Sequence, residues 1–245
     1  MNPRITLAVA GRVLIQLRRD HRTMAMLLIL PCILIALLWW MFEDMPGNLF
    51  DRVGPALLAI FPVIVMFLVT SVTTLRERSS GTLERLLSMP MGKGDFLFGY
   101  ALAFGLVAAV QSVLAVGLCV GLLGLDVVGP VWLLTVVAVC DAVLGSALGL
   151  FVSAFAQTEF QAVQFMPLFV LPQILLCGLF VPRVLLPDVL EVISDVLPLS
   201  YAVDAMQHLV TSSGTAEVWS DVGIVAAFSV VGLAVGAATL RRRTP

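Results

Sequence analysis

Six long apolar segments separated by short polar ones constrain the fold of this chain more than any other feature. They lie at about residues 24–42, 55–75, 96–123, 131–155, 162–181 and 222–240. A helix that crosses a bilayer needs about 20 mostly apolar residues, and each segment has roughly that length or more. With 60% hydrophobic and 12% charged residues and a mean hydropathy of +1.06, the 245 residues carry too few charges for a soluble domain. The sequence therefore predicts an all-α integral membrane protein with six transmembrane helices in a single transmembrane domain, 1–245.

Residues 4–20, ahead of the first span, predict an amphipathic helix that is too basic to cross the membrane. A helical projection puts apolar residues on one side and arginines on the other: Val9, Ala10, Val13, Leu14 and Leu17 against Arg4, Arg12 and Arg19. Such a helix lies in the headgroup layer, and the alternative is a frayed basic tail. We expect no cleavable signal peptide, because no apolar core precedes Arg18.

The region 76–95, between the second and third spans, is the main polar interruption of the chain. Leu83, Leu86 and Leu87 recur at i, i+3 and i+4 and would form one apolar stripe of a short helix. Glu84 lies in its first turn, where the helix dipole favours an anion, and Pro90 prevents its continuation. The pattern predicts a docking helix that begins at 81 or 82, and the alternative is an ordinary charged loop.

The segment 182–220, before the last span, is the longest loop. Within it, residues 188–196 and 200–210 predict two short amphipathic helices. Two such helices directly after an apolar span indicate a segment that folds back against the membrane surface and does not cross it.

The distribution of basic residues predicts the orientation. Twelve of the 14 Lys and Arg residues fall in the N-terminal segment, in the region 76–95 or at the C-terminus. By the positive-inside rule both termini and the region 76–95 are cytoplasmic, and the loop 182–220 faces outside.

Motifs for chemistry are missing from the sequence. There is no G-x-S-x-G, no H-E-x-x-H and no Walker A pattern, and the two histidines, His21 and His208, fall on opposite sides of the predicted membrane. The four cysteines lie in apolar segments without metal-ligand spacing. We therefore predict no catalytic residue, no cofactor and no metal site, and hence not an enzyme.

Three polar residues within the spans are candidates for a substrate path: Asp141, Gln164 and Gln173. A carboxylate in the middle of a span costs roughly 2.5 to 3.5 kcal/mol on insertion scales, so Asp141 should face a partner or a wet cavity. Polar contacts between helices explain all three residues equally well. Pro167 and Pro172 also predict that the fifth span is irregular.

Glycine pairs at G-x-x-x-G spacing occur in three of the spans. They are Gly117 and Gly121, Gly145 and Gly149, and Gly232 and Gly236. Such pairs allow helix backbones to approach closely, so they predict packing surfaces without identifying their partners.

Two motifs resemble those of a known family. Arg76-Glu77-Arg78 followed by Gly81-Thr82-Leu83-Glu84-Arg85-Leu86-Leu87 and Pro90 resembles the signature of ABC-2 type permeases, the membrane subunits of ABC exporters. The segment 197–205, LPLSYAVDA, is similar to the family's segment before the last span. The string GTLERLLSMP is most similar to bacterial drug-export permeases.

This resemblance implies a function and a set of partners. The coupling helix would consist of Gly81, Thr82, Leu83, Glu84, Arg85, Leu86, Leu87 and Pro90 and would bind a separate cytoplasmic ABC-type ATPase, present in two copies. A second permease subunit, identical or different, would complete the path, with spans 2 and 5 facing across the dimer. The resemblance further implies a bacterial cell membrane location, contact with membrane lipid, efflux of a small hydrophobic or amphipathic drug, antibiotic resistance, and no nucleic-acid partner.

Other functions remain open at this point. One is an ion-coupled secondary transporter, although Asp141 stands alone and no inverted repeat of broken helices is visible. Others are export of a lipid or polysaccharide by the same architecture, a membrane-embedded enzyme, and an assembly factor without transport. Co-purification with an ATPase and ATP-dependent efflux would distinguish these functions.

Overall fold

The computed structural model describes residues 2–45, 49–80 and 93–239. Within these residues the chain is helical and contains no β-strand, which confirms the predicted all-α class. The helices are α1 (Pro3–Arg19), α2 (His21–Phe42), α3 (Leu49–Ser79), α4 (Lys93–Gly121), α5 (Val131–Ser153), α6 (Glu159–Leu176), α7 (Asp188–Val196), α8 (Pro198–Thr211) and α9 (Ala216–Thr239). A short 3-10 helix, Arg183–Leu185, lies between α6 and α7.

The described residues contain six helices that are long and apolar enough to cross a membrane. They are α2, α3, α5 and α6 over their full lengths, α4 over Phe98–Gly121 and α9 over Ala216–Gly236. This confirms the predicted number of transmembrane helices.

The ends of three spanning helices differ from the predicted bounds by at least five residues. One is α9, which begins at Ala216, ahead of the predicted start at 222. The helix α3 begins at Leu49, ahead of the predicted start at 55. The helix α6 runs unbroken through Pro167 and Pro172, where we predicted an irregular span, and it ends at Leu176, short of 181. Prolines are tolerated in membrane helices because neighbouring groups satisfy the freed carbonyls. The chain leaves α6 near Gly178, whose φ of +92° favours glycine.

The helix α1 is amphipathic and packs along α4. The Asn2 side chain caps its N-terminus by accepting a hydrogen bond from the Arg4 N–H, and Pro3 occupies the first turn. Its buried residues, Val9, Ala10, Val13 and Leu17, form one stripe, while most of the other side chains are partly or fully exposed. At Gly99 of α4 an added Cβ would lie 2.6 Å from the Val9 side chain, so glycine allows the two helices to approach closely.

A tight turn at Asp20 joins α1 to α2. The Asp20 carboxylate accepts hydrogen bonds from the Thr23 hydroxyl at 2.7 Å and from the Thr23 N–H at 3.2 Å, and so caps α2. The hydrogen bond from the Thr23 hydroxyl is the main reason that the pKa of Asp20 is lowered. The cap fixes the point at which the chain changes from α1 to the first spanning helix.

The core of the bundle contains α3, α5 and α9 packed at glycines. Gly145 and Gly149 of α5 lie against the backbone of α3 at Val63 and Phe67, with no room for a Cβ at either position. Gly232 of α9 lies against Ala147 of α5. Two of the three predicted glycine pairs thus have partners within the chain. Among the residues that the structure describes, no atom outside the local helix lies within 4 Å of an added Cβ at Gly117 or Gly121.

Replacing Gly149 by leucine should prevent α3 and α5 from packing. We expect the free energy of unfolding to fall by more than the roughly 1–3 kcal/mol of ordinary overpacking, because a backbone carbonyl cannot move aside as a side chain does. Gly117→Leu is the matched control, since Gly117 lies on an exposed part of α4. Size-exclusion profiles and thermal unfolding of the two detergent-solubilised variants measure the difference. A Gly149→Leu protein as stable as Gly117→Leu would contradict this packing.

The opposite end of the bundle from α1 carries α7 and α8, which fold back over the spanning helices. Arg183 forms ion pairs with Asp195 of α7 and Asp204 of α8 and stacks over the Tyr201 ring, with its guanidinium carbon 5.4 Å from the ring centroid. Burial lowers the pKa of Arg183, but Asp204 and Asp195 outweigh it, so that the pKa is raised overall. The Ser194 hydroxyl donates to the Leu176 carbonyl at 2.8 Å. These contacts hold the predicted folded-back helices against the end of α6.

Candidate functional site

The predicted coupling residues lie outside the described part of the chain. Gly81, Thr82, Leu83, Glu84, Arg85, Leu86, Leu87 and Pro90 all fall within 81–92. The structure describes the two stems that lead into and out of this segment, the end of α3 and the start of α4. The geometry of the stems therefore defines the candidate site.

Glu77 connects the first stem to α1. Its side chain lies in the last turns of α3 and is 4% exposed, and its Oε1 accepts a hydrogen bond from Arg12 Nη2 at 2.5 Å. A charged hydrogen bond in a partly buried position is stronger than one in water, because solvent screens it less. The pair joins the middle of α1 to the end of α3.

Arg76 and Arg78, which flank Glu77, connect the same stem to two further helices. The Arg76 guanidinium donates two hydrogen bonds of 3.0 Å to the Glu159 carboxylate, at the start of α6. Arg78 donates to the Ser153 carbonyl, in the last turn of α5, where a cation also suits the helix dipole. Three consecutive side chains thus contact α1, α5 and α6.

Asp95 connects the second stem to α1. Its carboxylate lies in the first turn of α4, is 4% exposed and accepts a hydrogen bond of 2.8 Å from the Asn2 N–H. The Thr6 hydroxyl lies 3.4 Å from the same oxygen. The helix α1 is therefore bound to both stems of the segment 81–92, at its N-terminus by Asp95 and at its middle by Glu77.

The sequence motif contained only part of this network. It included Arg76, Glu77 and Arg78. Nothing in the sequence indicated that Glu77 contacts Arg12, that Arg76 contacts Glu159, or that Asp95 contacts Asn2. The capping pattern at Asn2 and Pro3 and the acidic first turn of α4 were visible as local signals. Local signals do not show which helices meet.

The three candidates for a substrate path lie in different environments. Gln173 is buried, and both of its polar groups are bonded to backbone: its Nε2 donates to the Phe169 carbonyl at 2.9 Å, and its Oε1 accepts from the Leu199 N–H at 3.3 Å. Gln164 is exposed on α6. Asp141 of α5 is 0% exposed, and neither of its oxygens has a hydrogen-bond partner within the described residues. The structure therefore forms no hydrogen bond between Asp141 and either glutamine.

The fourth helix, α4, also carries buried polar side chains. The side chains of Gln111 and Ser112, both on α4, are buried without a hydrogen-bond partner in the described residues. Within residues 2–45, 49–80 and 93–239 there is no group of three His, Cys, Asp or Glu residues that could hold a metal ion.

Comparisons with known proteins agree with this architecture. A sequence profile of the family described as ABC-2 type transporter matches residues 5–210. The chain is 26% identical over 169 residues to the Escherichia coli K12 protein named "Probable multidrug ABC transporter permease YbhR", covering 69% of this chain and 46% of that protein. It is 25% identical over 171 residues to the linearmycin resistance permease protein LnrN of Bacillus subtilis 168, covering 69% of this chain and 44% of that protein.

A third relative comes from a different setting. Nodulation protein J of Rhizobium meliloti 1021 is 26% identical over 172 residues, covering 70% of this chain and 65% of that protein. This chain thus spans less than half the length of the first two relatives and less than two thirds of the third.

The match of the family profile to most of the chain identifies its class. The chain belongs to the ABC-2 type transporter family. The resemblance in its motifs is thereby confirmed, and with six spanning helices it is a multi-pass membrane protein.

Proposed function

We propose that the chain is the permease subunit of an ATP-driven exporter, powered by a separate cytoplasmic ATPase that is present in two copies. The observation that carries this proposal is the attachment of α1 to both stems of the segment 81–92, through Glu77 and Asp95. A segment held in this way is suited to pass a force from a bound partner into the bundle, because both of its ends are fixed to the same helix.

The segment 81–92 receives the force in this proposal. Leu83, Leu86 and Leu87 would fill a groove of the ATPase, while Glu84 and Arg85 would fix the register by charge. Movement of the segment would then reach α1 through Glu77 and Asp95 and reach α6 through Arg76 and Glu159. The orientation that this requires places both termini and the segment in the cytoplasm, in agreement with the distribution of basic residues.

A second permease subunit would cover the exposed face of α6. That face exposes Leu168, Leu171 and Leu175 together with Gln164. An amide facing lipid is unfavourable, whereas an amide at a subunit interface or in a wet path has partners. Of the three candidates, Gln164 is the one that the geometry favours for the substrate path between two subunits.

The cargo in this proposal is a hydrophobic or amphipathic compound, and drug or multidrug efflux is the primary candidate. Two relatives carry multidrug or antibiotic-resistance names, which supports this choice. Export of a lipid or polysaccharide by the same architecture is the second candidate. It stays a candidate because one relative, nodulation protein J, has a name that mentions no drug.

Reconstitution with the ATPase tests the proposed function. The tagged chain should co-purify with a protein that carries a Walker A sequence, and vesicles containing both should move a lipophilic drug only with hydrolysable ATP. Movement driven by a proton or sodium gradient without ATP would contradict the proposal, as would a purified chain that transports alone.

Asp141→Asn separates a role in transport from a structural one. Because helices of its own subunit enclose Asp141, we expect export and its pH dependence to change by no more than about twofold. Export rates measured over a range of pH in the reconstituted complex give the result. A large loss of export, or a shifted pH profile, would instead place this carboxyl in the path.

A further inference from the structure

A groove between α2 and α3, beside the Asp20 turn, is lined by apolar and polar side chains in the way expected of a binding site for an amphiphilic molecule. Its volume is about 300 Å³. Apolar side chains line most of it: Leu17, Met26, Leu27, Leu30, Val65, Leu68, Val69 and Val72. Gln16, Asp20, Thr23, Thr73 and Arg76 also line it. The groove therefore combines an apolar wall with a group of polar side chains.

The polar residues lie toward one end of the groove along the helix axes. Thr23 lies in the first turn of α2, whereas Leu30 is two turns further along; on α3 the order is reversed, from Val65 to Arg76. At 1.5 Å per residue the groove extends about 10 Å along α2 and about 16 Å along α3. A single hydrocarbon chain lying along this wall would place its head at the polar end.

The apolar part of the groove can be reached from the membrane. Met26 and Leu30 line it and are 68% and 46% exposed. A lipid can enter between α2 and α3 without unfolding any helix, because these side chains stand at the surface of the bundle.

The charges at the polar end favour an anionic head. Arg18, Arg19, Arg22 and Arg76 are all exposed near this end. Of the carboxylates near this end, Glu159 is paired with Arg76 and Glu77 with Arg12, whereas Asp20 caps α2 and keeps its negative charge. The three remaining arginines, Arg18, Arg19 and Arg22, therefore outnumber the one remaining carboxylate. A cluster of basic residues beside the cytoplasmic end of a spanning helix attracts anionic lipids.

We propose that this groove binds one anionic phospholipid, with an acyl chain along Met26, Leu30 and Val69 and its phosphate among the arginines. The proposal depends on the proposed function only for the leaflet, since α1 is taken to lie in the cytoplasmic headgroup layer. The bound lipid would contact α3 as far as Arg76, where the stem that leads to the segment 81–92 begins. The groove is thus a lipid site distinct from the proposed substrate path at Gln164.

Photolabelling of the purified protein in nanodiscs tests the acyl-chain part. The probe is phosphatidylglycerol with a diazirine in one acyl chain, and labelled peptides are mapped by mass spectrometry. We expect label on α2 and α3 at the groove and its loss in Met26→Trp. Ile29→Trp is the matched control, because Ile29 is 53% exposed on the same helix but does not line the groove. Label spread over lipid-facing helices without preference, or unchanged in Met26→Trp, would overturn the proposal.

Competition with unlabelled lipids tests the anionic part. Phosphatidylglycerol should compete better than phosphatidylcholine, and Arg22→Gln should reduce this preference about fivefold. Arg4→Gln, on an exposed part of α1 away from the groove, should leave the preference unchanged. Equal competition by the two lipids would overturn the assignment of an anionic lipid to the groove. The proposal would also be overturned if a second subunit covered the groove and kept it free of label. Both readouts are independent of transport, so failure of the exporter proposal would not affect them.

Discussion

Reversing the charge of Glu77 should uncouple ATP hydrolysis from export. Glu77→Arg would place two guanidinium groups together in a position where Glu77 is 4% exposed. Arg12 is one-third exposed, so solvent screens part of the repulsion. We therefore expect Glu77→Arg to destabilise the contact between α1 and α3 by about 2 kcal/mol, below the range for fully buried pairs. Export per ATP hydrolysed in the reconstituted complex should fall by at least about tenfold, because the end of α3 would no longer pull α1.

A charge swap separates this effect from simple misfolding. Arg12→Glu alone should resemble Glu77→Arg, and the double variant Arg12→Glu/Glu77→Arg should recover most of the export by restoring an ion pair of opposite polarity. Arg4→Glu, at an exposed position of the same helix, serves as the charge control. Single variants that export normally, or a double variant no better than either single one, would show that this pair does not transmit the motion.

Leu86→Asp should weaken binding of the ATPase by at least about thirtyfold while leaving the permease inserted in the membrane. If Leu86 is an anchor of the interface, a carboxylate buried without a partner should cost at least about 2 kcal/mol, or roughly thirtyfold in Kd. Glu84→Arg should also uncouple hydrolysis from export, because it reverses the charge that we propose to fix the register. Pull-down of the ATPase by the tagged permease measures the first effect, and substrate-stimulated ATPase activity measures the second.

Ser88→Asp provides the control for Leu86→Asp, because it adds the same charge on a different side of the predicted helix. We expect Ser88→Asp to retain the ATPase. Equal retention by both variants would mean that the leucine stripe is not the docking surface and that the segment is an ordinary loop.

Local patterns in the sequence were sufficient to predict the helices. The predicted stripe of Val9, Ala10, Val13, Leu14 and Leu17 is the buried face of α1, except that Leu14 is only partly buried. The apolar periodicity of 188–196 predicted a helix where α7 lies, since both arguments need only neighbouring residues. The number of spans followed from length and hydropathy alone.

Contacts between distant parts of the chain could not be predicted in this way. Arg12 and Glu77 are 65 residues apart, and Asn2 and Asp95 are 93 residues apart. No periodicity relates such positions, so only the tertiary fold shows that α1 joins the two stems. The spacing of the glycine pairs likewise predicted close packing but not which pairs would pack within the chain.

The prediction that Pro167 and Pro172 make the fifth span irregular was wrong for a different reason. A proline removes a backbone hydrogen bond, and in a soluble helix the freed carbonyl usually bends or ends the helix. In a membrane bundle neighbouring helices and side chains satisfy such groups, and α6 continues through both prolines. The sequence also could not show which polar residues of the spans are buried. Gln164 is exposed, whereas Asp141 and Gln173 are buried.

Accessibility of position 84 to a membrane-impermeant thiol reagent shows whether the segment 81–92 lies on the cytoplasmic side and binds the ATPase. After replacement of Cys32, Cys119, Cys140 and Cys177, Glu84→Cys provides the only thiol, and Ser213→Cys serves as the control for the opposite face. We expect Glu84→Cys to be labelled in inverted membrane vesicles and to be protected there when the ATPase is bound, while Ser213→Cys is labelled only in right-side-out vesicles. Labelling of Glu84→Cys in right-side-out vesicles, or labelling that the ATPase does not block, would contradict the proposed function.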